Sequence, residues 1–145
     1  MRIPSWIFDR RRARIGTVVW SLFLLALTSW PSPPEVPVVS QIPDFDKLVH
    51  GVLYGVLGFL LYFAIAWPGA PRFSWMRAAT VAAVVAVWGT LDEIHQYWIP
   101  GRSMEAADAL ADTTAGFLGA IVASWVSRSA PTLPLPSRIA RSEDS

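Results

Sequence analysis

The chain has 145 residues, of which 53% are apolar and 16% are charged, and its mean hydropathy is +0.40. This length accommodates one domain, and the absence of cysteine excludes a disulfide scaffold, a thiolate metal site and a cysteine nucleophile. A formal charge of +1 argues against a nucleic-acid partner, and a charged fraction below the roughly 25% of soluble domains favours an integral membrane protein.

The first part of the chain predicts a basic end followed by a membrane span. Residues 1–14 are rich in arginine and predict a cytoplasmic N-terminus, and residues 15–30 form an uncharged apolar segment. A cleaved signal peptide is the alternative interpretation of this region, and cleavage would leave three spans. The proline-rich linker that follows, residues 31–46, should be extended rather than helical.

Three further apolar segments follow in the rest of the chain. Residues 48–67 predict the second span, and the prolines of residues 68–71 predict a tight turn after it. Residues 78–98 and 109–126 predict the third and fourth spans, although their acidic side chains should give both of them poor scores in a hydropathy window. The tail, residues 128–145, is rich in proline and charge and predicts disorder on the cytoplasmic side.

These segments predict an all-α fold, a four-helix transmembrane bundle over residues 15–127 with both termini in the cytoplasm. Ten arginines then lie on the cytoplasmic side, whereas the opposite side holds only Lys47 and Arg102, as the positive-inside rule requires. The acids are distributed the other way, three inside and eight outside, so the formal charge divides into +7 and −6. Because the rule concerns basic residues, the external acids need a separate explanation.

Helical spacing offers that explanation, because it gathers polar side chains near the predicted outer interface. Residues at positions i, i+3, i+4 and i+7 share one face of a helix. The residues grouped in this way are Lys47, His50 and Tyr54 on the second span, Asp92, His95 and Gln96 on the third, and Asp108 and Asp112 on the fourth. Glu93 forms a neighbouring stripe on the third span with Gln96 and Tyr97. Ionisable groups within spans are costly and normally face the bundle interior, so we expect a polar pocket that opens outward.

Several of these side chains also have a purely structural explanation. Lys47 can be a snorkelling interfacial lysine, and His50 can be a neutral histidine that is hydrogen-bonded inside the bundle. Asp92 can lie in headgroup water, and Asp108 can cap the N-terminus of the fourth helix. Arg102 can simply balance a nearby acid.

The order of the motifs resembles the VanZ-like family of small integral membrane proteins of bacteria. The blocks that carry the resemblance are Asp46-Lys47-Leu48-Val49-His50, Glu93-Ile94-His95-Gln96, Pro100-Gly101-Arg102, and Asp108 before a glycine-rich helix, all within residues 46–119. The chain departs from the family pattern at Asp112, where asparagine is frequent, and at Gly51, where an aromatic residue is common. The resemblance implies a multi-pass protein of the bacterial cytoplasmic membrane with an envelope-related role, and it brings no established reaction.

Pocket and resemblance together predict that the protein binds or modulates a cell-envelope lipid or precursor, such as an anionic lipid, at the extracytoplasmic face. The resemblance adds a link to tolerance of the glycopeptide teicoplanin, for which one family member is named. The predicted ligand-binding residues are Asp46, Lys47, Tyr54, Gln96, Arg102, Asp108 and Asp112.

The alternative is a membrane enzyme that acts on a lipid-linked phosphate or ester. His50, Glu93 and His95 are its candidate acid–base residues, and Arg102 with Lys47 would hold the phosphate or carboxylate. No compact ligand spacing supports a metal site, and no cofactor is predicted. A proton-coupled carrier is a third class, which the position of the acids at one end of the spans disfavours.

Overall fold

The computed structural model describes residues 9–31, 45–66, 73–102 and 104–128, without the side chains of Phe45 and Asp46. Within these ranges all the regular structure is helical, which confirms the predicted all-α class. The four helices are α1 (Arg10–Thr28), α2 (Phe45–Ala64), α3 (Trp75–Gln96) and α4 (Ala106–Arg128).

Each helix begins at least three residues before the predicted span. The earlier starts have visible causes in two cases, since the Asp9 side chain accepts from the backbone N–H groups of Arg11 and Arg12, and Ser74 accepts from that of Arg77. Such caps satisfy N–H groups that have no partner within the helix. Most of the predicted extended linker, the predicted turn and nearly all of the predicted disordered tail lie outside the described residues.

The helices alternate in direction, so the C-terminal ends of α1 and α3 lie beside the N-terminal ends of α2 and α4. The most extensive packing joins α2 to α4, then α3 to α4 and α1 to α2, whereas α1 touches α3 only sparsely. Glycines set the closeness of α2 and α4. A β-carbon at Gly58 would overlap the carbonyl group of Gly116, and one at Gly119 would overlap that of Gly55. Small residues of this kind allow close approach of membrane helices.

Arg10 and Arg14 lie at the opposite end of the bundle from the acids of α3 and α4. Arg10 and Arg14 of α1 donate to the carbonyl oxygens of Ala66 and Ala64, at 3.0 and 3.1 Å. The last carbonyls of a helix lack intrahelical partners and carry the negative end of its dipole, so cations there are favourable. The basic start of α1 therefore secures the C-terminal end of α2.

Large apolar side chains cover the outward face of every described helix. Val18 and Leu22 of α1, Val52 of α2, Val87 of α3 and Leu118 of α4 are each between 57% and 63% exposed. The buried residues, in contrast, include acids, an amide and small side chains as well as aliphatic ones. An exposed apolar surface of this extent is typical of contact with lipid or with another protein.

Two of the described helices are long and apolar enough to cross a membrane, over Lys47–Ala64 in α2 and Ala106–Arg128 in α4. The prediction that the fourth span would score poorly is therefore wrong, because its acids are confined to the first two turns of α4 and the remainder is apolar. Four arginines in α1 and the acids near the end of α3 lower the hydropathy of those helices. The two qualifying helices indicate a membrane protein.

Candidate functional site

A tight turn closes the end of the bundle at which the acids lie. The backbone N–H of Arg102 donates to the carbonyl of Ile99 at 3.1 Å, and Gly101 between them has a φ of 80°. That left-handed conformation carries no steric cost for glycine, and proline in front of it is typical of a type II turn. The turn directs Arg102 back toward the last turn of α3.

Asp92 is the centre of a buried network of neutral donors. The residue is 4% exposed; its Oδ1 accepts from Thr28 Oγ1 at 2.7 Å. Its Oδ2 accepts from the Tyr54 hydroxyl at 3.0 Å and from Gln96 Nε2 at 3.2 Å. The interpretation of Asp92 as a residue in headgroup water is therefore wrong, because α1 and α2 cover it. One carboxylate thus joins three helices, and none of its hydrogen bonds within the described ranges comes from a cation.

Gln96 links the two adjacent acids to Arg102. Its Nε2 also donates to Glu93 Oε1 at 3.3 Å, and its Oε1 accepts from Arg102 Nε at 3.1 Å and from Nη2. The other oxygen of Glu93, which is 2% exposed, accepts from the backbone N–H of Glu105 at 2.7 Å. Glu93 therefore satisfies the backbone at the start of α4, where a helix leaves N–H groups free.

Lys47 joins α2 to the first turn of α4. Its Nζ lies 2.9 Å from Asp108 Oδ1 and 3.6 Å from a carboxylate oxygen of Glu105. Because α4 begins at Ala106, Asp108 lies inside the first turn and does not cap the helix, so the capping interpretation is wrong. The carboxylate of Asp108 still lies near the positive end of the helix dipole.

His50 and Asp112 form a further polar pair, between α2 and α4. His50 Nδ1 lies 3.4 Å from Asp112 Oδ1, which is long for a hydrogen bond. Asp112 is 1% exposed, and among the described residues its carboxylate oxygens have no hydrogen-bond partner. The His50 side chain keeps 16% exposure although Nδ1 is buried, so the rest of the ring faces outward. A carboxylate behind an imidazole is the arrangement that orients histidine in acid–base pairs.

A cavity of about 210 Å³ opens beside this network, between α1 and α2. Its lining is mainly apolar, with polar groups from α1, α2 and the closing turn. The lining residues are Leu24, Leu27, Thr28, Val49, His50, Leu53, Tyr54 and Arg102. A mostly apolar wall with a few convergent polar groups is typical of small-molecule sites. This combination of apolar and polar side chains suits an amphiphile, which has an apolar chain and a polar head group.

The structure brings some predicted site residues to the cavity and leaves others behind it. His50, Tyr54 and Arg102 line the cavity, whereas Glu93 is buried and does not line it. His95 does not line it either, and its Nε2 lies 3.0 Å from Ser29 Oγ. The remaining predicted residues Lys47, Gln96, Asp108 and Asp112 form the supporting contacts described above. Asp46 belongs to the first turn of α2, and its side chain lies outside the described residues.

Sequence reasoning missed the contribution of α1. Thr28 and Ser29 hold the C-terminal end of that helix to Asp92 and His95, and Leu24 and Leu27 line the cavity. The available signal was a pair of hydroxyl residues at the end of an otherwise apolar segment. The predicted pocket rests on polar and ionisable side chains at helical spacing, and α1 has no ionisable side chain at this end.

In the part of the chain that the structure describes, no group of three or more histidine, aspartate or glutamate side chains could hold a metal ion. The model of the VanZ/LLP1 family matches residues 6–127, which is most of the chain. Comparison with curated proteins and with solved structures finds no match.

Proposed function

Since the chain belongs to the VanZ/LLP1 family, we propose that it is a multi-pass protein of the bacterial cytoplasmic membrane that binds a cell-envelope lipid or precursor. The observation that carries the proposal is the cavity between α1 and α2, in which Leu24, Leu27 and Leu53 face His50 and Arg102. A lipid places its chain against the apolar side chains and its head group against the polar ones. A change in teicoplanin tolerance on loss of the protein is the cellular role that the family resemblance suggests.

The exposed apolar side chains on all four helices support four crossings, and an even number of crossings puts both termini on the same side of the membrane, which we propose is the cytoplasm. The two ends of the bundle differ in charge in the sense of the positive-inside rule, with arginines at the start of α1 and acids at the start of α4. The cavity and the network behind it then lie on the extracytoplasmic side.

Because the chain has no cysteine, single introduced thiols can test this orientation directly. Met104→Cys lies at the acidic end and Arg11→Cys at the basic end, and both positions are exposed. We expect a membrane-impermeant maleimide to label the first variant in intact cells and the second only after permeabilisation. The reverse labelling pattern would overturn the proposed orientation.

A tryptophan at Leu27 should block ligand retention, because that side chain lines the cavity. Leu22→Trp is the matched control, since Leu22 lies on the same helix, is exposed and does not line the cavity. The purified proteins are incubated with a panel of labelled envelope lipids and analysed by mass spectrometry. We expect wild type and L22W to retain a lipid, and we expect the amount retained by L27W to be lower by about tenfold or more. Equal retention by L27W and L22W would contradict a ligand in this cavity.

A second candidate function is hydrolysis of a lipid-linked ester or phosphate, favoured by the placement of His50 between the cavity and Asp112. An imidazole whose Nδ1 faces a carboxylate can take a proton from water through its other nitrogen and return that proton to the leaving oxygen. The same mass spectrometry distinguishes the two candidates. Conversion of a retained lipid by wild type, with retention but no conversion by His50→Gln, would favour the enzyme. Retention without conversion by wild type would favour the binding protein.

A further inference from the structure

We propose that Arg102 is the receptor for a single phosphate group on the head of the bound lipid. This proposal rests on the proposed function, because it assigns the chemical class of the amphiphile in the cavity. Arg102 lines the cavity and is only partly exposed, so its charge is partly removed from water. A guanidinium in such a position is a strong site for phosphate oxygens, which it contacts with two N–H groups at once.

The first argument concerns the partners of Arg102. The guanidinium donates through Nε and Nη2 to the amide oxygen of Gln96, which is neutral. No ion pair within the described residues joins Arg102 to a carboxylate, and Nη1 makes no hydrogen bond there. The amide therefore fixes the direction of the side chain and leaves its charge without a counter-ion in contact.

The second argument concerns the other basic side chain at this end of the bundle, Lys47. Lys47, which the sequence predicts as a second phosphate ligand, pairs with Asp108 at 2.9 Å and does not line the cavity. Arg102 is thus the cationic side chain that the described lining offers to a head group. One guanidinium fits one phosphate better than a pyrophosphate, which usually requires several donors.

The third argument concerns the nearby acids, which could repel an anion. Asp92 and Glu93 are each hydrogen-bonded by neutral donors, and Asp108 is paired with Lys47. Asp112 lies behind His50 and is not part of the cavity wall. These four carboxylates therefore do not line the cavity, whereas the guanidinium of Arg102 does.

Binding of two matched lipids to the full-length protein in detergent tests the proposal. The probes are oleoyl lysophosphatidic acid and monoolein, which differ by the phosphate, and glycerol phosphate, which lacks the chain. We expect wild type to bind lysophosphatidic acid at least tenfold more tightly than monoolein, and glycerol phosphate only weakly. Arg102→Gln should abolish that preference while monoolein binding persists, and Arg102→Lys should restore part of it.

Arg11→Gln is the control variant, because it removes one exposed arginine charge at the opposite end of the bundle and should keep the wild-type preference. Equal binding of the two lipids by wild type would overturn the assignment of Arg102 as a phosphate receptor, and it would still support a lipid site in the cavity. If glycerol phosphate binds as tightly as lysophosphatidic acid, the acyl chain contributes nothing to binding, and the assignment of the phosphate to a lipid head group is overturned. Absence of binding by both lipids would instead refute the proposed function. Folding of each variant is checked by its melting temperature.

Discussion

Replacing Gly58 or Gly119 with alanine is expected to have the largest effect on folding. At both positions the new methyl group would overlap backbone of the opposing helix, and backbone cannot move aside as a flexible side chain can. The two helices must separate or shift, at a cost of about 3 kcal/mol or more, the upper range for overpacking. We expect a marked loss of monodisperse protein in detergent and a lower melting temperature.

Gly51→Ala provides the control for this expectation. Gly51 lies on α2, the same helix as Gly58, and a β-carbon there would meet no atom within 4 Å. Alanine is favoured over glycine within a helix by about 1 kcal/mol, so this variant should be at least as stable as wild type. Similar behaviour of Gly51→Ala and Gly58→Ala would contradict the close approach of α2 and α4.

Replacing Asp92 with alanine is expected to have the second largest effect. The substitution removes the acceptor of the Thr28, Tyr54 and Gln96 donors, two of which belong to other helices. The Tyr54 hydroxyl then keeps no acceptor among the described residues, and a buried donor in that position costs about 1–3 kcal/mol. Thr28 can still donate to carbonyls of its own helix and Gln96 to Glu93, so their loss is limited to the contact between the helices. We expect a substantial decrease in the free energy of unfolding, measured by titration with a denaturing detergent.

Asp112→Ala is the matched comparison, because it removes an equally buried carboxylate by the same substitution. Asp112 accepts no hydrogen bond from the described residues, so no donor loses a partner. Its variant should therefore unfold at a clearly higher detergent concentration than the Asp92 variant. Comparable losses in the two variants would show that burial of the carboxylates, rather than the hydrogen bonds to Asp92, determines stability.

Much of the site was predictable from spacing along single helices. The i, i+3 and i+4 patterns gave the shared faces, and the alternating direction of the predicted spans placed Lys47, Gln96 and Asp108 at the same end of the bundle, where the structure has them. Spacing on one helix cannot reveal which helix covers a side chain. The environment of Asp92 depends on the hydroxyl group of Thr28, which lies 64 residues earlier.

The different roles of Lys47 and Arg102 also could not be predicted from the sequence. Lys47 and Arg102 look equivalent as external basic residues, and both were predicted to bind the ligand. Their difference arises from the turn at Gly101, which directs Arg102 to a neutral amide, and from the start of α4 at Ala106, which brings Asp108 to Lys47. Spacing along a single helix does not define the residue at which that helix starts or the turn that precedes it.

The contacts across the acidic end have a consequence for biosynthesis. Thr28 binds Asp92, and Lys47 binds Asp108, so each bond joins the first two helices to the last two. While the ribosome has completed only α1 and α2, the contacts of Thr28 with Asp92 and of Lys47 with Asp108 cannot form, and Thr28 donates only to carbonyls of its own helix. Of the described residues that line the cavity, Arg102 alone is still missing at that stage, and a chain that stops after α2 lacks both this guanidinium and the acids behind the cavity.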